Sequence, residues 1–240
     1  MEMAIRMIRL DKYLADMSIG TRTEVKKAIR QGRVRVDNQV LKIPETKIDE
    51  MNQKVLFDDK LVSYQNFEYY MLNKPAGVIS ATKDTKEQTV LDLISDKQRK
   101  DLFPVGRLDK DTEGLLLITN DGELAHRLLS PSKHVDKVYY AKIDGRVTEE
   151  DQKAFANGVS LGNDEVAKSA MLEILDQGDV SEISLTIQEG KFHQVKRMFE
   201  SVGKRVIYLK RISMGSLVLD ENLKPGEYRA LTKKEIEDLC

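Results

Sequence analysis

Beyond residue 66, the apolar residues of this chain fall into short runs of strand length that are separated by turn-forming residues. The runs are Tyr69 to Leu72, Leu115 to Ile118, Val138 to Ile143, Ile183 to Ile187, Val206 to Leu209 and Leu217 to Leu219. Helical patterns lie between some of them, as in Leu124, Leu128 and Leu129, and again in Val195, Met198, Phe199 and Val202. Because strands and helices do not alternate regularly, the pattern predicts an α+β domain with a mixed, mostly antiparallel sheet rather than a parallel doubly wound fold.

The N-terminal part of the chain has a different pattern, that of two helices followed by a hairpin. An apolar stripe at helical spacing predicts the first helix, with the members Leu10, Tyr13, Leu14 and Met17. Thr21 and Glu24 form a capping-box pattern that begins a second helix, and Gly32 is expected to end it. Arg33 to Val36 then alternate between basic and apolar side chains, which predicts a half-buried strand with its basic side chains on one face.

The formal net charge of -1 hides two strongly basic windows. Between Arg6 and Lys42 there are ten Lys or Arg residues against four acids, and between Lys191 and Arg211 there are seven against one. Two basic stretches on an otherwise acidic chain favour binding to a polyanion such as nucleic acid. The alternative is that each window is an ordinary solvated face, which is the more common interpretation of any single charge run.

The helix–helix–hairpin pattern resembles the small RNA-binding domain named after ribosomal protein S4. The matching segments are Arg9-Leu10-Asp11-Lys12-Tyr13-Leu14, Thr21-Arg22 and Ile29-Arg30-Gln31-Gly32-Arg33-Val34-Arg35-Val36-Asp37. The resemblance implies an S4-like RNA-binding domain over residues 6–58, followed by a linker over 59–66 and a catalytic domain over 67–240. The basic residues expected to bind RNA are Arg9, Lys12, Arg22, Lys26, Lys27, Arg30, Arg33, Arg35 and, from the second basic window, Arg197.

Several common sites are missing from the sequence. Neither Gly-x-Gly-x-x-Gly nor Gly-x-x-x-x-Gly-Lys-Ser/Thr occurs, so the usual phosphate cradles for dinucleotides and nucleotides are not expected. His126, His134 and His193 lack metal-ligand spacing, and the only cysteine is Cys240. No apolar run approaches the roughly 20 residues that cross a bilayer, and the N-terminus does not have the pattern of a secretory signal. We therefore expect a cytoplasmic protein with no membrane partner, metal or cofactor.

A charged loop leads directly into the apolar run at Leu115. Its sequence is Gly106-Arg107-Leu108-Asp109-Lys110-Asp111-Thr112-Glu113-Gly114. A loop in front of a buried strand can hold a reactive carboxylate rigidly, although an ordinary turn aspartate is the more common interpretation of the residues alone. The run from Gly106 to Gly122 resembles the catalytic motif of pseudouridine synthases of the RsuA and RluA types. In that motif the residue matching Asp109 is the catalytic aspartate.

Three further segments resemble motifs of the same family. Asn73-Lys74-Pro75-Ala76-Gly77 matches the first motif, for which we expect an architectural turn. Lys137-Val138-Tyr139 matches a motif whose tyrosine stacks on the target base. The segment from Glu189 to Phe199 matches the third motif, in which a basic residue pairs with the catalytic aspartate. Here that residue is Lys196, which supplies the charge but lacks the two-pronged geometry of arginine.

The resemblance thus implies that Asp109, Tyr139 and Lys196 are the catalytic residues and that Lys196 keeps the Asp109 carboxylate ionised. The other residues expected to line the substrate pocket are Arg107, Leu108, Thr112, Leu209, His193 and Gln194. Without the resemblance, Tyr139 and Leu209 would be interpreted as ordinary core residues.

The activity implied by the resemblance is the isomerisation of a uridine in ribosomal RNA to pseudouridine. The glycosidic C–N bond breaks, the base turns in the pocket and a C–C bond forms, after the nucleotide has been flipped out of its stack. The segment from Ser130 to Tyr140 is closer to the branch that acts on the small subunit, which implies uridine 516 of 16S rRNA. We expect a monomer acting on a partly assembled subunit. Whether Asp109 attacks the sugar, attacks the ring or removes the C2′ proton is left open by the sequence.

Three other interpretations are left open. The chain could act on 23S rRNA, like the RluB, RluE and RluF types, or could be a non-catalytic ribosome-assembly factor that binds RNA. It could also be a glycoside hydrolase in which Asp109 and Asp111 are the paired carboxylates. An aromatic content of 6% without any Trp argues against the sugar-stacking cleft that a glycoside hydrolase needs.

Overall fold

A computed structural model describes residues 7–50 and 52–239 of the protein. Arg6 and Cys240, at which predicted domain limits fall, lie outside these ranges. The described residues divide into two compact units: unit 1 runs up to Glu68 and includes Asp96–Leu102, and unit 2 comprises Tyr69–Ser95 and the chain from Phe103 onward. In the described part of the chain, no helix is long and apolar enough to cross a membrane.

Within residues 7–50 and 52–102, unit 1 has two helices and six short strands. They are β1 (Met7–Arg9), α1 (Leu10–Asp16), α2 (Arg22–Arg30), β2 (Val34–Val36), β3 (Gln39–Val40), β4 (Lys47–Asp49), β5 (Val55–Phe57) and β6 (Lys60–Val62). Strands β3, β2, β5 and β6 form one antiparallel sheet in that order, and β1 pairs with β4. The range 59–66, for which the sequence predicts a linker, therefore includes β6. The segment Asp96–Leu102 belongs to unit 1, although the predicted catalytic range 67–240 includes it.

The local signals of unit 1 are confirmed. Thr21 accepts a hydrogen bond from the Glu24 amide, and the Glu24 carboxylate accepts one from the Thr21 amide, so the capping box is complete. Gly32 follows α2 with a φ of +78°, a conformation that glycine adopts without strain. In β2, Val34 and Val36 are buried while Arg35 is exposed, as the alternation predicts. The apolar stripe of α1 packs into one core with α2 and these strand residues.

Up to residue 239, where the described part of the chain ends, unit 2 has four helices and eleven strands. The first part comprises β7 (Tyr69–Lys74), β8 (Phe103–Pro104), β9 (Glu113–Thr119), α3 (Gly122–Leu129), a 3-10 turn (Pro131–Lys133), β10 (Lys137–Asp144), α4 (Glu149–Asn157), β11 (Ser160–Gly162) and β12 (Glu165–Val166). The second part comprises β13 (Met171–Asp176), β14 (Val180–Ile187), α5 (Gln194–Ser201), β15 (Arg205–Met214), β16 (Leu217–Val218), β17 (Tyr228–Ala230) and α6 (Lys233–Leu239).

A nine-stranded sheet organises unit 2, with the order β13-β14-β10-β15-β9-β7-β17 and with β16 and β8 attached to β15 and β9. Every pairing along it is antiparallel except that of β15 with β9, which is parallel. The prediction of an α+β protein with a mixed, mostly antiparallel sheet is confirmed. Residues of β7, β9 and β15 pack with α3 and the C-terminal α6 into one apolar core.

The parallel contact between β9 and β15 positions the charged loop. It places Gly114 opposite Arg211, so the loop that precedes β9 lies beside the middle of β15. Gly114 has a φ of +99°, and a Cβ there would lie 2.3 Å from the Arg211 carbonyl oxygen. Only glycine fits this close approach of two backbones. On the other side of β15, Tyr139 of β10 pairs with Arg211, which brings the tyrosine to the same part of the sheet.

Candidate active site

All nine residues that the sequence analysis assigns to catalysis and to the substrate pocket line one cavity of about 60 Å³. The charged loop contributes Arg107, Leu108, Asp109 and Thr112; strands β10 and β15 contribute Tyr139 and Leu209; and the segment at the start of α5 contributes His193, Gln194 and Lys196. These residues lie up to about a hundred positions apart in the chain. The structure therefore assembles the predicted pocket from four separate segments.

Asp109 lies between two nitrogen groups. Its Oδ2 atom is 3.3 Å from Lys196 Nζ, and its Oδ1 atom is 3.6 Å from His193 Nε2. The carboxylate remains about a quarter exposed, so a substrate can reach it. A partly solvated carboxylate next to a lysine ammonium can act as a nucleophile or as a base.

Lys196 forms ion pairs with two carboxylates, those of Asp111 and Asp109. Its Nζ atom donates to both oxygens of Asp111, at 2.7 and 2.9 Å, and is therefore closer to Asp111 than to Asp109. Burial opposes the charged form of Lys196, but the hydrogen bond to Asp111 and the charges of both aspartates outweigh it and raise the pKa of the lysine. The Lys196 hydrogen bonds hold the pKa of Asp111 below its ordinary value. The ammonium thus stays charged beside Asp109.

Three groups of the first motif and its continuation hold the backbone of the Asp109 loop. The Lys74 ammonium donates to the carbonyl oxygens of Pro75, Lys110 and Thr112 at 3.0, 3.3 and 2.9 Å. The Gly77 amide donates to the Lys110 carbonyl at 2.7 Å. The hydroxyl of Ser80 donates to the Leu108 carbonyl at 2.8 Å and accepts from the Leu108 amide at 3.0 Å. The loop is thus fixed on both sides of Asp109.

Lys74 is a fully buried lysine. Burial lowers its pKa to about 8, although the nearby charges of Asp111, Asp109 and Glu113 act in the opposite direction. A lysine in such a position costs stability in its charged form, and it donates here to the Lys110 and Thr112 carbonyls of the loop and to the Pro75 carbonyl beside it. The architectural role expected for this motif is therefore carried mainly by one side chain.

The walls of the cavity combine apolar and polar side chains. Tyr139, Leu209 and Leu108 are buried and line the cavity. Asp109, which follows Leu108 in the chain, also lines it. Thr112 Oγ1 is buried and has no hydrogen-bond partner among the described residues. A buried polar atom without a partner at the edge of a pocket is available to a ligand.

The turn before α5 is held by its own hydrogen bonds. Gln194 is buried, donates from Nε2 to Glu189 at 2.8 Å and accepts from the Lys191 amide at 2.9 Å. His193 adopts a left-handed conformation with a φ of 48°. Arg197, expected to bind RNA, donates to the Leu161 carbonyl at 2.8 Å and forms an ion pair with Glu165 at 2.7 Å. Its role in RNA binding stays a prediction.

Two contacts were not predicted from the sequence: the hydrogen bonds of Ser80 to Leu108 and the ion pair of Asp111 with Lys196. Nothing in the local sequence marks Ser80, because its partner Leu108 is 28 residues away. Asp111 entered the sequence analysis only as the second carboxylate of an alternative enzyme class. Lys74 had a visible signal, since it follows the buried strand residues of β7 and is the charged residue of that element.

Unit 1 presents its basic residues on the surface, with one buried carboxylate among them. Asp11 is fully buried and accepts two hydrogen bonds from Arg9, at 2.9 and 2.8 Å. Arg22 and Lys26 approach the same carboxylate at 3.9 and 3.7 Å. Burial raises the pKa of Asp11, but the Arg9 hydrogen bonds and the charges of Arg9 and Arg22 outweigh it and lower the pKa overall.

The other basic residues of unit 1 expected to bind RNA are exposed: Lys12, Lys27, Arg30, Arg33 and Arg35. Arg33 pairs with Asp58, and Arg35 pairs with Asp59 at 3.2 Å. Within the described part of the chain, no group of three or more His, Cys, Asp or Glu side chains is arranged to hold a metal ion.

Comparison with known proteins places this geometry in a family. Residues 68–201 match the family model for RNA pseudouridylate synthases, and residues 8–54 match the S4 domain. A Bacillus subtilis protein called "Uncharacterized RNA pseudouridine synthase YtzG" is 48% identical, covering 95% of this chain and 97% of its own length. Proteins called ribosomal small subunit pseudouridine synthase A are 41% identical in Haemophilus influenzae and 38% identical in Escherichia coli. They cover 97% and 95% of this chain, and 99% and 98% of their own lengths.

A solved structure agrees with these matches. A crystal structure of a pseudouridylate synthase is 40% identical in sequence, covers 97% of this chain and 100% of its own, and superposes with a TM-score of 0.68. The family model spans more than half of the chain, and the segment it matches includes Asp109, Tyr139 and Lys196. The chain belongs to the RNA pseudouridylate synthase family and carries an N-terminal S4 domain.

Proposed function

We propose that this protein converts one uridine of 16S rRNA, uridine 516, to pseudouridine, with Asp109 as the catalytic carboxylate. The observation that carries the proposal is the position of Asp109: it lies 3.3 Å from the Lys196 ammonium in a cavity that Tyr139 also lines. No other carboxylate lines this cavity among the described residues.

The contacts of four cavity residues and of three residues behind the loop give each of them a role in this proposal. Asp109 acts directly on the target nucleotide, and Lys196 supplies a positive charge that compensates its carboxylate. Tyr139 offers a buried ring against which the flipped uracil stacks. Thr112 Oγ1 provides a hydrogen-bonding group for the substrate, because it has no partner among the described residues. Lys74, Gly77 and Ser80 act through the backbone by holding the loop in place.

The basic surface of unit 1 binds the RNA backbone in this proposal. Arg9, Arg22 and Lys26 surround the buried Asp11 carboxylate, which orders the three side chains before RNA arrives. Lys27 and Arg30 on the exposed face of α2 form no ion pair with the described residues, so their charges are available to phosphates. Ordered cations lose less side-chain entropy when they bind.

The relatives named for the small ribosomal subunit support 16S rRNA as the substrate. Two of them are 41% and 38% identical to this chain over nearly its whole length. The proposal further includes a cytoplasmic, monomeric enzyme that acts on a partly assembled subunit, because the target uridine must be accessible for flipping.

A pseudouridine-specific chemical map tests the proposal. Wild-type protein, Asp109→Asn and the control Asp179→Asn are each incubated with 16S rRNA transcript and with small-subunit precursor. Asp179 is an exposed aspartate in the turn between β13 and β14, so the control changes the same charge away from the cavity. We expect one new signal, at uridine 516, with wild type and Asp179→Asn and none with Asp109→Asn.

Other outcomes would change the proposal in defined ways. A signal at a different 16S nucleotide would correct the target, and a signal only in 23S rRNA would identify the substrate as that of the large-subunit branch. Equal signals with wild type and Asp109→Asn would refute the catalytic role of Asp109. If no RNA were modified, but wild type and Asp109→Asn supported subunit assembly equally, the chain would be a non-catalytic assembly factor.

A further inference from the structure

A groove of about 650 Å³ opens beside the cavity that holds Asp109. The two spaces share Asp109, Tyr139 and His193 among their lining residues. The groove continues past the Ile79–Ala81 segment and past Leu129 and Pro131 at the end of α3. Its size is within the range of about 300–1,000 Å³ that encloses whole small-molecule ligands, and it is about ten times that of the inner cavity. The site therefore has room for RNA beyond the reacting base.

Phe192 is the exposed aromatic residue of this groove. Its side chain is 69% exposed, the largest exposed fraction among the exposed large apolar side chains of the described residues. One face of its ring stacks on the His193 ring, with 3.8 Å between the ring centroids and 19° between the planes. His193 in turn lies 3.6 Å from the Asp109 carboxylate. A flat stack thus leads from the catalytic carboxylate outward and ends in an open phenylalanine face.

The backbone around Phe192 is held in place. Arg197 donates to the Phe192 carbonyl at 3.2 Å, and the turn is closed by the hydrogen bond between the Lys191 amide and Gln194. The exposed ring is therefore not the end of a loose loop. An ordered aromatic side chain left in water beside a reactive group is typical of a surface that a ligand covers.

The charge of the groove identifies the kind of ligand. Five cations line it: Arg107, Lys110, Lys137, Lys191 and Arg211. Lys110 is paired with Glu87 at 2.7 Å, and Lys191 lies 3.8 Å from Glu189. Arg211 is 98% buried, and its Nη2 atom has no hydrogen-bond partner among the described residues. The lining carboxylates are Asp109 and Glu189, and Glu189 already accepts hydrogen bonds from Gln194 and from the Lys168 amide. The excess of cations favours a polyanion with flat bases, as in single-stranded RNA.

We infer that Phe192 stacks on the base of a nucleotide next to the target uridine and so helps to select the RNA sequence or structure that enters the site. This inference rests on the proposed function, because it requires RNA in the groove. The neighbouring base would continue the stack of Phe192 on His193, while the groove cations contact the adjoining phosphates. When the neighbouring base stacks on the Phe192 ring, it also helps to hold the target nucleotide in its flipped position.

A double-mutant cycle tests the inference. Wild type and Phe192→Ala are assayed on a 16S rRNA fragment around the target and on fragments in which one neighbouring nucleotide, up to two positions to either side, is abasic. Losing one base–aromatic stack should lower the kcat/KM of Phe192→Ala by about tenfold to a hundredfold on the intact fragment. The decrease should come from a higher KM. On the fragment that lacks the stacked base, Phe192→Ala should cause no further loss. Phe192→Tyr should restore the wild-type value, and Phe192→Leu should not.

The controls separate this inference from a general effect. Leu175→Ala removes an apolar side chain of similar exposure on β13, away from the groove, and should leave kcat/KM unchanged. Because the Phe192 side chain is mostly in water, thermal unfolding of Phe192→Ala should match that of wild type. The contrary result is that Phe192→Ala lowers kcat/KM by the same factor on the intact fragment and on every abasic fragment. In that case Phe192 would not stack on a neighbouring base. Absence of any conversion by wild type would instead refute the proposed function.

Discussion

Replacing Lys74 by Met should change the stability of the protein in a pH-dependent way. The Lys74 ammonium is fully buried, and its pKa is lowered to about 8 from the ordinary 10.5. Between these two pH values the unfolded chain binds more protons at this position than the folded chain. The free energy of unfolding of wild type therefore rises with pH across this window and reaches its full gain above pH 10.5. A difference of about 2.5 between two pKa values corresponds to about 3 kcal/mol.

Met at position 74 removes the titrating group and the three hydrogen bonds to Pro75, Lys110 and Thr112. The Lys110 carbonyl keeps its bond from the Gly77 amide, so two carbonyl groups lose this donor, at a cost of roughly 2–4 kcal/mol. At about pH 7 this cost is offset by the relief from burying an ammonium, and the variant should be within about 1 kcal/mol of wild type. At pH 10.5 the variant should be about 3 kcal/mol less stable.

Urea unfolding followed by circular dichroism at a series of pH values measures this difference, since the chain has no Trp for fluorescence. Lys83→Met, which replaces an exposed lysine, should differ from wild type by the same small amount at every pH. A stability difference between wild type and Lys74→Met that stayed constant from neutral pH to pH 10.5 would refute a lowered pKa for Lys74 in the folded protein.

Three further changes test other parts of the structure. Gly114→Ala should lower the free energy of unfolding by roughly 3–5 kcal/mol, because its Cβ would collide with the facing strand at a φ of +99°; stability close to wild type would contradict this packing. Glu235→Gln should cost about 3 kcal/mol above pH 4.5, because hydrogen bonds from Arg229 lower the Glu235 pKa to about 2. That difference should shrink as the pH falls from 4.5 toward 2 in acid-unfolding measurements, and a pH-independent difference would refute the assignment. Asp111→Asn should reduce kcat by less than about tenfold in a pseudouridine-formation assay, because Lys196 can still pair with Asp109, the proposed catalytic carboxylate. Complete loss of activity would give Asp111 an equal share in the chemistry.

Much of the secondary structure was predictable from local patterns. The helix that carries Lys196 follows from the apolar spacing of Val195, Met198 and Phe199, because that spacing places all three on one side of a helix. Five of the six predicted apolar runs lie entirely within strands that extend beyond them, whereas β16 ends at Val218 and leaves Leu219 of the sixth run outside. Strand β15, for example, spans Arg205–Met214 because pairing with β10 and β9 continues past the apolar core.

The sequence predicted which residues form the candidate site, but it did not predict which of them would contact each other. The motif resemblance pointed to Asp109, Tyr139 and Lys196, and the structure brings all three to one cavity. It did not indicate that Lys196 would lie closer to Asp111 than to Asp109. That preference depends on how the loop turns between the two aspartates, and a motif written along the chain carries no such distance.

The sequence by itself determined several helices and strands, the signals that begin and end α2, and the family whose catalytic motif the charged loop resembles. Those features depend on residues close together in the chain, where helical and strand periodicities and capping act. Only the tertiary structure decided that Lys74 and Ser80 hold the loop, that Gly114 faces Arg211 and that Phe192 extends a stack away from Asp109. These contacts depend on the order of strands in the sheet and on the parallel pairing of β9 with β15, which joins segments about a hundred residues apart.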